Sequence, residues 1–260
     1  MPTLDEHQSS QFVKLLYIGN SGSGKTGSLV SLLPDYDLNI VDMDNGLDAL
    51  RNLAIAQCPD RMKAVSFETV RDKYRATPTG PQVIAPAKAF VRANNLLDKW
   101  LDGSKPEEWG PNKILVIDSL TYLGRAAFNW AVSMNPSSKD PRQWYKGAQD
   151  AVQGIIDTLT SDVFKTNVIV ISHIDYGKDA TGIDKGFVSS VGKALGPKLP
   201  AAFNTLILAS TSGSGKFIKR KIQTMPTALL DLKNPAPLKI DAEFPLETGL
   251  ADLFRKLKGV

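Results

Sequence analysis

Gly19-Asn20-Ser21-Gly22-Ser23-Gly24-Lys25-Thr26-Gly27 is the stretch that decides the fold. Its first eight residues fit Gly-x-x-x-x-Gly-Lys-Ser/Thr, the phosphate-binding loop of nucleotide triphosphatases. The flanks agree with that reading. Phe12-Val13-Lys14-Leu15-Leu16-Tyr17-Ile18 has the continuous apolar character of a buried strand. Ser28-Leu29-Val30-Ser31-Leu32-Leu33 reads as a helix stopped by Pro34. Glycines let the backbone wrap phosphates, and a following helix presents free N–H groups to an anion. Residues 19–27 are therefore the candidate ATP cradle. Lys25, read as a solvated loop side chain, is placed to reach the β- and γ-phosphates. The Thr26 hydroxyl is placed to ligate Mg²⁺.

Further along, short apolar runs alternate with helical stretches. Strands are expected at 38–41, 62–67, 113–117, 167–171 and 205–209, and helices at 47–56, 86–101, 122–133 and 144–160. Near-continuous apolar strands separated by helices indicate an α/β fold with a mostly parallel central sheet and helices on both faces. Ser212-Gly213-Ser214-Gly215-Lys216 partly copies the phosphate loop. It leads into another strand, 217–224, and so reads as the turn of a C-terminal antiparallel hairpin. With no evident linker, residues 11–260 read as one domain behind a flexible tail, 1–10.

Composition bounds the rest. The 260 residues are 42% hydrophobic, enough for a large core. The net charge of +4 permits a polyanionic partner. A lone cysteine, Cys58, excludes an internal disulfide and suggests a reducing compartment. No apolar run approaches the roughly 20 residues of a membrane span, so a cytoplasmic location is expected.

Candidate chemistry clusters at strand ends. Ile114-Leu115-Val116-Ile117-Asp118-Ser119 is an apolar strand ending in an acid. In open α/β sheets this end faces the ligand, so Asp118 is expected to hold Mg²⁺ with Thr26. Ile40-Val41-Asp42-Met43-Asp44-Asn45-Gly46-Leu47-Asp48 ends the second strand with three acids. Asp44 or Asp42 there could polarise the attacking water; alternatively, Asp44 or Asn45 caps the next helix. Glu68, ending the third strand, is the rival base. His173, after Val168–Ser172, is a candidate sensor of the γ-phosphate or a strand-end histidine held by backbone bonds. Tyr176–Gly186 has three glycines and no apolar period, and reads as a mobile loop. Lys178, Lys185, Phe187 and Lys193, together with the cluster from Lys139 to Lys146, offer cations and rings suited to single-stranded nucleic acid. Trp144 and Tyr145 also suit packing at a helix start.

Taken in order, these parts resemble the RecA-type recombinase core over about residues 12–224. Asp44 falls at that family's catalytic glutamate, Asp118 at its Mg²⁺ carboxylate, and His173 at its sensor glutamine. Val191-Gly192-Lys193-Ala194-Leu195 looks like the end of its second DNA-binding loop. Lys219 and Lys221 fall where it carries basic residues that reach a neighbour's ATP. Only about ten residues precede the first strand. The core stripped of accessory domains is similar to the phage-encoded, RecA-like single-strand annealing ATPases. That resemblance implies ATP hydrolysis, binding of single-stranded DNA, strand annealing or recombination, and self-assembly into rings or filaments. It also implies cooperation with a single-strand DNA-binding protein. A nucleotide-gated switch without DNA, or a DNA motor subunit, are the alternatives.

Overall fold

A computed structural model describes residues 11–138 and 140–259. The expected tail at 1–10, Lys139 and the side chain of Lys216 lie outside the described residues. In Leu15-Leu16-Tyr17-Ile18 every side chain is buried, odd positions on one face and even positions on the other. That two-sided burial makes this strand the axis of the fold.

In chain order the elements are β1 (Lys14–Gly19), α1 (Lys25–Ser28), β2 (Asp37–Asp42), α2 (Asp48–Gln57) and β3 (Val65–Thr69). A small ribbon, β4 (Tyr74–Arg75) and β5 (Gln82–Val83), precedes α3 (Ala89–Asp98). Then come β6 (Gly110–Asp118), α4 (Leu120–Met134), α5 (Pro141–Thr160) and β7 (Thr166–Ser172). A second ribbon, β8 (Ile174–Lys178) and β9 (Asp184–Val188), is followed by α6 (Gly192–Leu195). The chain closes with β10 (Thr205–Ser212), β11 (Lys219–Gln223), β12 (Glu243–Pro245) and α7 (Gly249–Lys258).

Eight strands form the central sheet in the order β12-β11-β10-β1-β7-β6-β2-β3. The six from β10 to β3 are parallel, while β11 and β12 add an antiparallel edge. The expected α/β architecture with its C-terminal hairpin is therefore what the chain adopts. Leu16, Ile18, Leu115, Ile117, Val168 and Val170 pack under α3, α4 and α5. Leu15, Tyr17, Ile40, Val116 and Ile171 pack under Leu29, Leu32, α2 and α7 on the other side.

Three local expectations are corrected. The helix after the phosphate loop is a single α-turn from Lys25 continued as 3₁₀ through Leu32. Tyr176–Gly186 is no irregular loop but part of the β8–β9 ribbon. Its turn is fixed by Asp179 Oδ1, which accepts the amides of Thr181 and Ile183 at 2.8 and 3.0 Å. Helix α2 has Leu47 at its N-cap and no side-chain cap, so neither Asp44 nor Asn45 caps it.

Candidate functional site

The sheet order puts one strand, β7, between the phosphate-loop strand β1 and the Asp118 strand β6. The carboxyl ends of β1, β7, β6 and β2 are consecutive, so Lys25, His173, Asp118 and Asp44 meet there. They line one cavity of about 520 Å³, with Ser21, Gly24 and Thr26 on its floor. That volume is within the range of small-molecule sites.

The loop is built as the motif requires. Gly24 has φ +94°, and a Cβ there would collide with the side chain of Leu246. Lys25 is not solvated: it is 6% exposed. Its ammonium donates to the carbonyls of Gly19 at 2.7 Å and Asn20 at 3.0 Å. Burial lowers its pKa to about 8, against the opposing pull of Asp118 and Asp44. A phosphate oxygen arriving in the loop would offer this lysine a better partner than two carbonyls.

Thr26 Oγ1 donates to Asp118 Oδ2 at 2.6 Å, so the two expected Mg²⁺ residues are in direct contact. Asp118 is 1% exposed, and burial pushes its carboxyl up to about 7 despite that hydrogen bond. Among the described residues no group of three or more His, Cys, Asp and Glu side chains could hold a metal. A hydroxyl and one carboxylate nonetheless suit Mg²⁺, which takes one or two protein oxygens and completes its shell with phosphate and water. The buried, proton-retaining carboxylate fits such an ion, which would supply the missing positive charge.

The acids after β2 divide their work. Asp42 Oδ1 accepts the amides of Asn45 and Gly46 at 2.8 and 3.3 Å, and its Oδ2 accepts from Thr69 at 2.7 Å. Asp42 thus fixes the turn and is spent. Asp44 lines the cavity, and its buried Oδ1 has no hydrogen-bond partner. Its pKa is raised, first by burial and then by Asp42, with Lys25 and Arg71 opposing. A Cβ on Gly46 would stand 2.8 Å from Asp44 Oδ1, so the glycine makes room for this carboxylate. Glu68, the rival base, is instead held by Arg92 in a two-pronged ion pair and does not line the cavity.

His173 lines the cavity and bonds to the Gly19 backbone; burial, then Lys25, lowers its pKa. Asn20 Nδ2 reaches the Tyr176 hydroxyl at 3.5 Å, tying the loop to the β8–β9 ribbon.

On β11 alternation matters. Arg220 lines the phosphate cavity. Lys219 and Lys221 occupy the other face, where Lys221 pairs with Glu243 at 2.5 Å. Sequence reasoning missed Arg220, Leu246 and Glu247 as cavity residues. The strand's two-residue period was the only signal, and it separated Arg220 from the lysines without saying which face met the loop.

The expected DNA residues are scattered. Lys185 is bound to Asp231 at 2.7 Å, while Lys178 and Lys193 are exposed. Trp144 packs against the core and donates to the Asn135 carbonyl at 2.9 Å, a helix-start role. Tyr145 is 43% exposed and stacks on Phe128.

Among known families, an AAA-domain model matches residues 11–236. No curated protein matches significantly. Solved structures with similar chains include a KaiC-like protein of Pyrococcus horikoshii, 12% identical with a TM-score of 0.37, covering 86% of this chain and 84% of that one. The flagellar accessory protein FlaH of Methanocaldococcus jannaschii is 12% identical with a TM-score of 0.41, covering 91% and 87%. The assembled type III secretion ATPase EscN of enteropathogenic E. coli is 14% identical with a TM-score of 0.44, covering 78% of this chain and 44% of its own. Among the described residues no helix is long and apolar enough to cross a membrane.

Proposed function

Because the chain belongs to the AAA-domain family of P-loop ATPases, we propose that it hydrolyses ATP at this cavity and couples the cycle to single-stranded DNA. The observation that carries the hydrolytic part is the cavity-lining carboxylate of Asp44, whose buried Oδ1 has no hydrogen-bond partner, with Asp42 consumed by the turn. Residues 19–27 cradle the phosphates, and Lys25 exchanges its two carbonyls for phosphate oxygens. Thr26 and Asp118 would hold Mg²⁺, which when bound would supply positive charge beside the transferring phosphoryl group. Asp44 accepts the proton of the attacking water, its raised pKa bringing it nearer working pH. His173, bonded to the loop backbone at the root of the β8–β9 ribbon, relays phosphate occupancy outward.

The domain assignment, one ATPase unit over 11–260, belongs to the same proposal. So do self-assembly, with Lys219 and Lys221 reaching a neighbour's nucleotide, and strand annealing with a single-strand DNA-binding protein. The support for annealing is the order of parts shared with the RecA-like annealing ATPases. ATP turnover measured with and without single-stranded DNA tests the reading. Turnover that rises with DNA supports it. Turnover that ignores DNA favours a nucleotide-gated switch, a reading that gains from the occupied Lys185. No turnover removes the enzymatic proposal.

A further inference from the structure

The ribbon expected to face DNA is electrically balanced. Between Ile174 and Lys193, three lysines stand against Asp175, Asp179 and Asp184. The other ribbon is different. Between Arg71 and Lys88 lie Arg71, Lys73, Arg75 and Lys88, against the single acid Asp72. That acid is consumed: Oδ1 accepts the amides of Lys88 and Ala89, both at 2.9 Å, and Oδ2 accepts from Asn129 at 2.9 Å. Arg125, exposed on α4, adds a fifth cation and stands 5.2 Å from the centroid of the Tyr74 ring. No ion pair among the described residues engages any of the five. Tyr74 is 41% exposed, and its hydroxyl is fixed by Asn129 at 3.0 Å. Arg71, Tyr74, Tyr122 and Arg125 line one shallow cleft beside Met43.

We propose that the β4–β5 ribbon and the first turns of α4 form the single-stranded DNA surface, with Arg71 and Arg125 holding phosphates and Tyr74 stacking a base. Free cations interleaved with an anchored ring are what a single strand needs. The cleft holds only about 30 Å³, too little to enclose a base. Contact is therefore by stacking and charge, and binding is indifferent to sequence. Met43 borders both this cleft and Asp44, and the charge of Arg71 acts on Asp44, so a strand here lies next to the hydrolytic carboxylate.

This inference rests on the DNA reading above, and the experiment separates the two. Fluorescence anisotropy with a labelled oligo-dT is recorded across a salt series. Arg71→Ala with Arg125→Ala should reduce the slope of log affinity against log salt by roughly 1.4, at about 0.7 per lost phosphate contact. Tyr74→Ala should weaken binding on the order of tenfold, and Tyr74→Phe should keep it. If these variants bind as the unaltered chain does while Lys178→Ala with Lys193→Ala loses binding, the surface is misassigned and the DNA reading survives. If the unaltered chain does not bind oligo-dT, the DNA reading itself fails. Loss of binding to phosphatidylserine vesicles, with oligo-dT binding intact, would make the patch a membrane surface and overturn the inference.

Discussion

Asp118→Asn should make the protein more stable and, at the same time, worse at holding Mg²⁺ and nucleotide. Burial raises the carboxyl from 3.8 to about 7, roughly three units. Its folded-state pKa exceeds its unfolded one, so the folded state retains the proton longer. The associated stability is whole below pH 4, declines as pH rises from 4 to 7, and is absent above. At about 1.4 kcal/mol per unit, ionising the buried group costs at most about 4 kcal/mol at pH 8. Asparagine has the same shape, still accepts the 2.6 Å bond from Thr26, and never ionises. If half the ceiling is realised, about 2 kcal/mol, the melting temperature at pH 8 rises by roughly 4–8 °C for a chain of this size. The gain should shrink as pH falls toward 5. The functional side is read with a fluorescent ATP analogue in excess Mg²⁺. The nucleotide's terminal phosphate titrates in the same range, so the informative quantity is the affinity ratio of unaltered protein to variant. Below pH 7 that ratio should fall about tenfold per unit, because Asp118 must lose its proton before it can ligate the ion. A variant less stable at pH 8 than the unaltered protein, together with a ratio flat from pH 5.5 to 8.5, would refute the assignment of a buried, proton-retaining magnesium carboxylate.

Four further outcomes are expected. Lys25→Ala should abolish turnover; because it leaves the buried Gly19 carbonyl without its donor, it should also lower stability by about 1–3 kcal/mol, seen in thermal melts without ligand. Asp44→Asn should spare nucleotide binding and slow hydrolysis 10²-fold or more, whereas Glu68→Gln should leave single-turnover rates alone. Arg220→Gln should lose turnover that no mixing with Lys25→Ala subunits recovers, because its side chain enters its own chain's cavity. Lys219→Ala with Lys221→Ala should recover activity on such mixing if the lysines act on a neighbour.

The phosphate loop was legible because its chemistry is local: nine consecutive residues carry the glycines, the lysine and the hydroxyl. Asp118 was legible because an all-apolar strand must end somewhere, and the ligand-facing end takes the acid. Asp42 and Asp44 could not be separated in sequence. Both follow the same strand, and only the amides of Asn45 and Gly46, closing on Asp42, show which is spent. Arg220 and Leu246 reach the loop through an antiparallel edge some 200 residues downstream, where nothing local marks the contact. The β8–β9 ribbon was hidden by its glycines; its clue was Asp179 followed by Thr181, a turn-forming pair rather than a loose loop.

The placing of β7 between β1 and β6 also bears on synthesis. The phosphate loop is complete once Thr26 is made, and Asp118 follows 92 residues later. Neither can be held in final register until the strand ending at Ser172 has been inserted between them. A nascent chain therefore has no complete nucleotide site until Ser172 has been made, and ATP cannot template the folding that precedes it. Parallel pairings of such long sequence separation close slowly and leave sheet edges open while they wait. Until Ser172 has emerged from the ribosome, the facing edges of β1 and β6 stay unpaired.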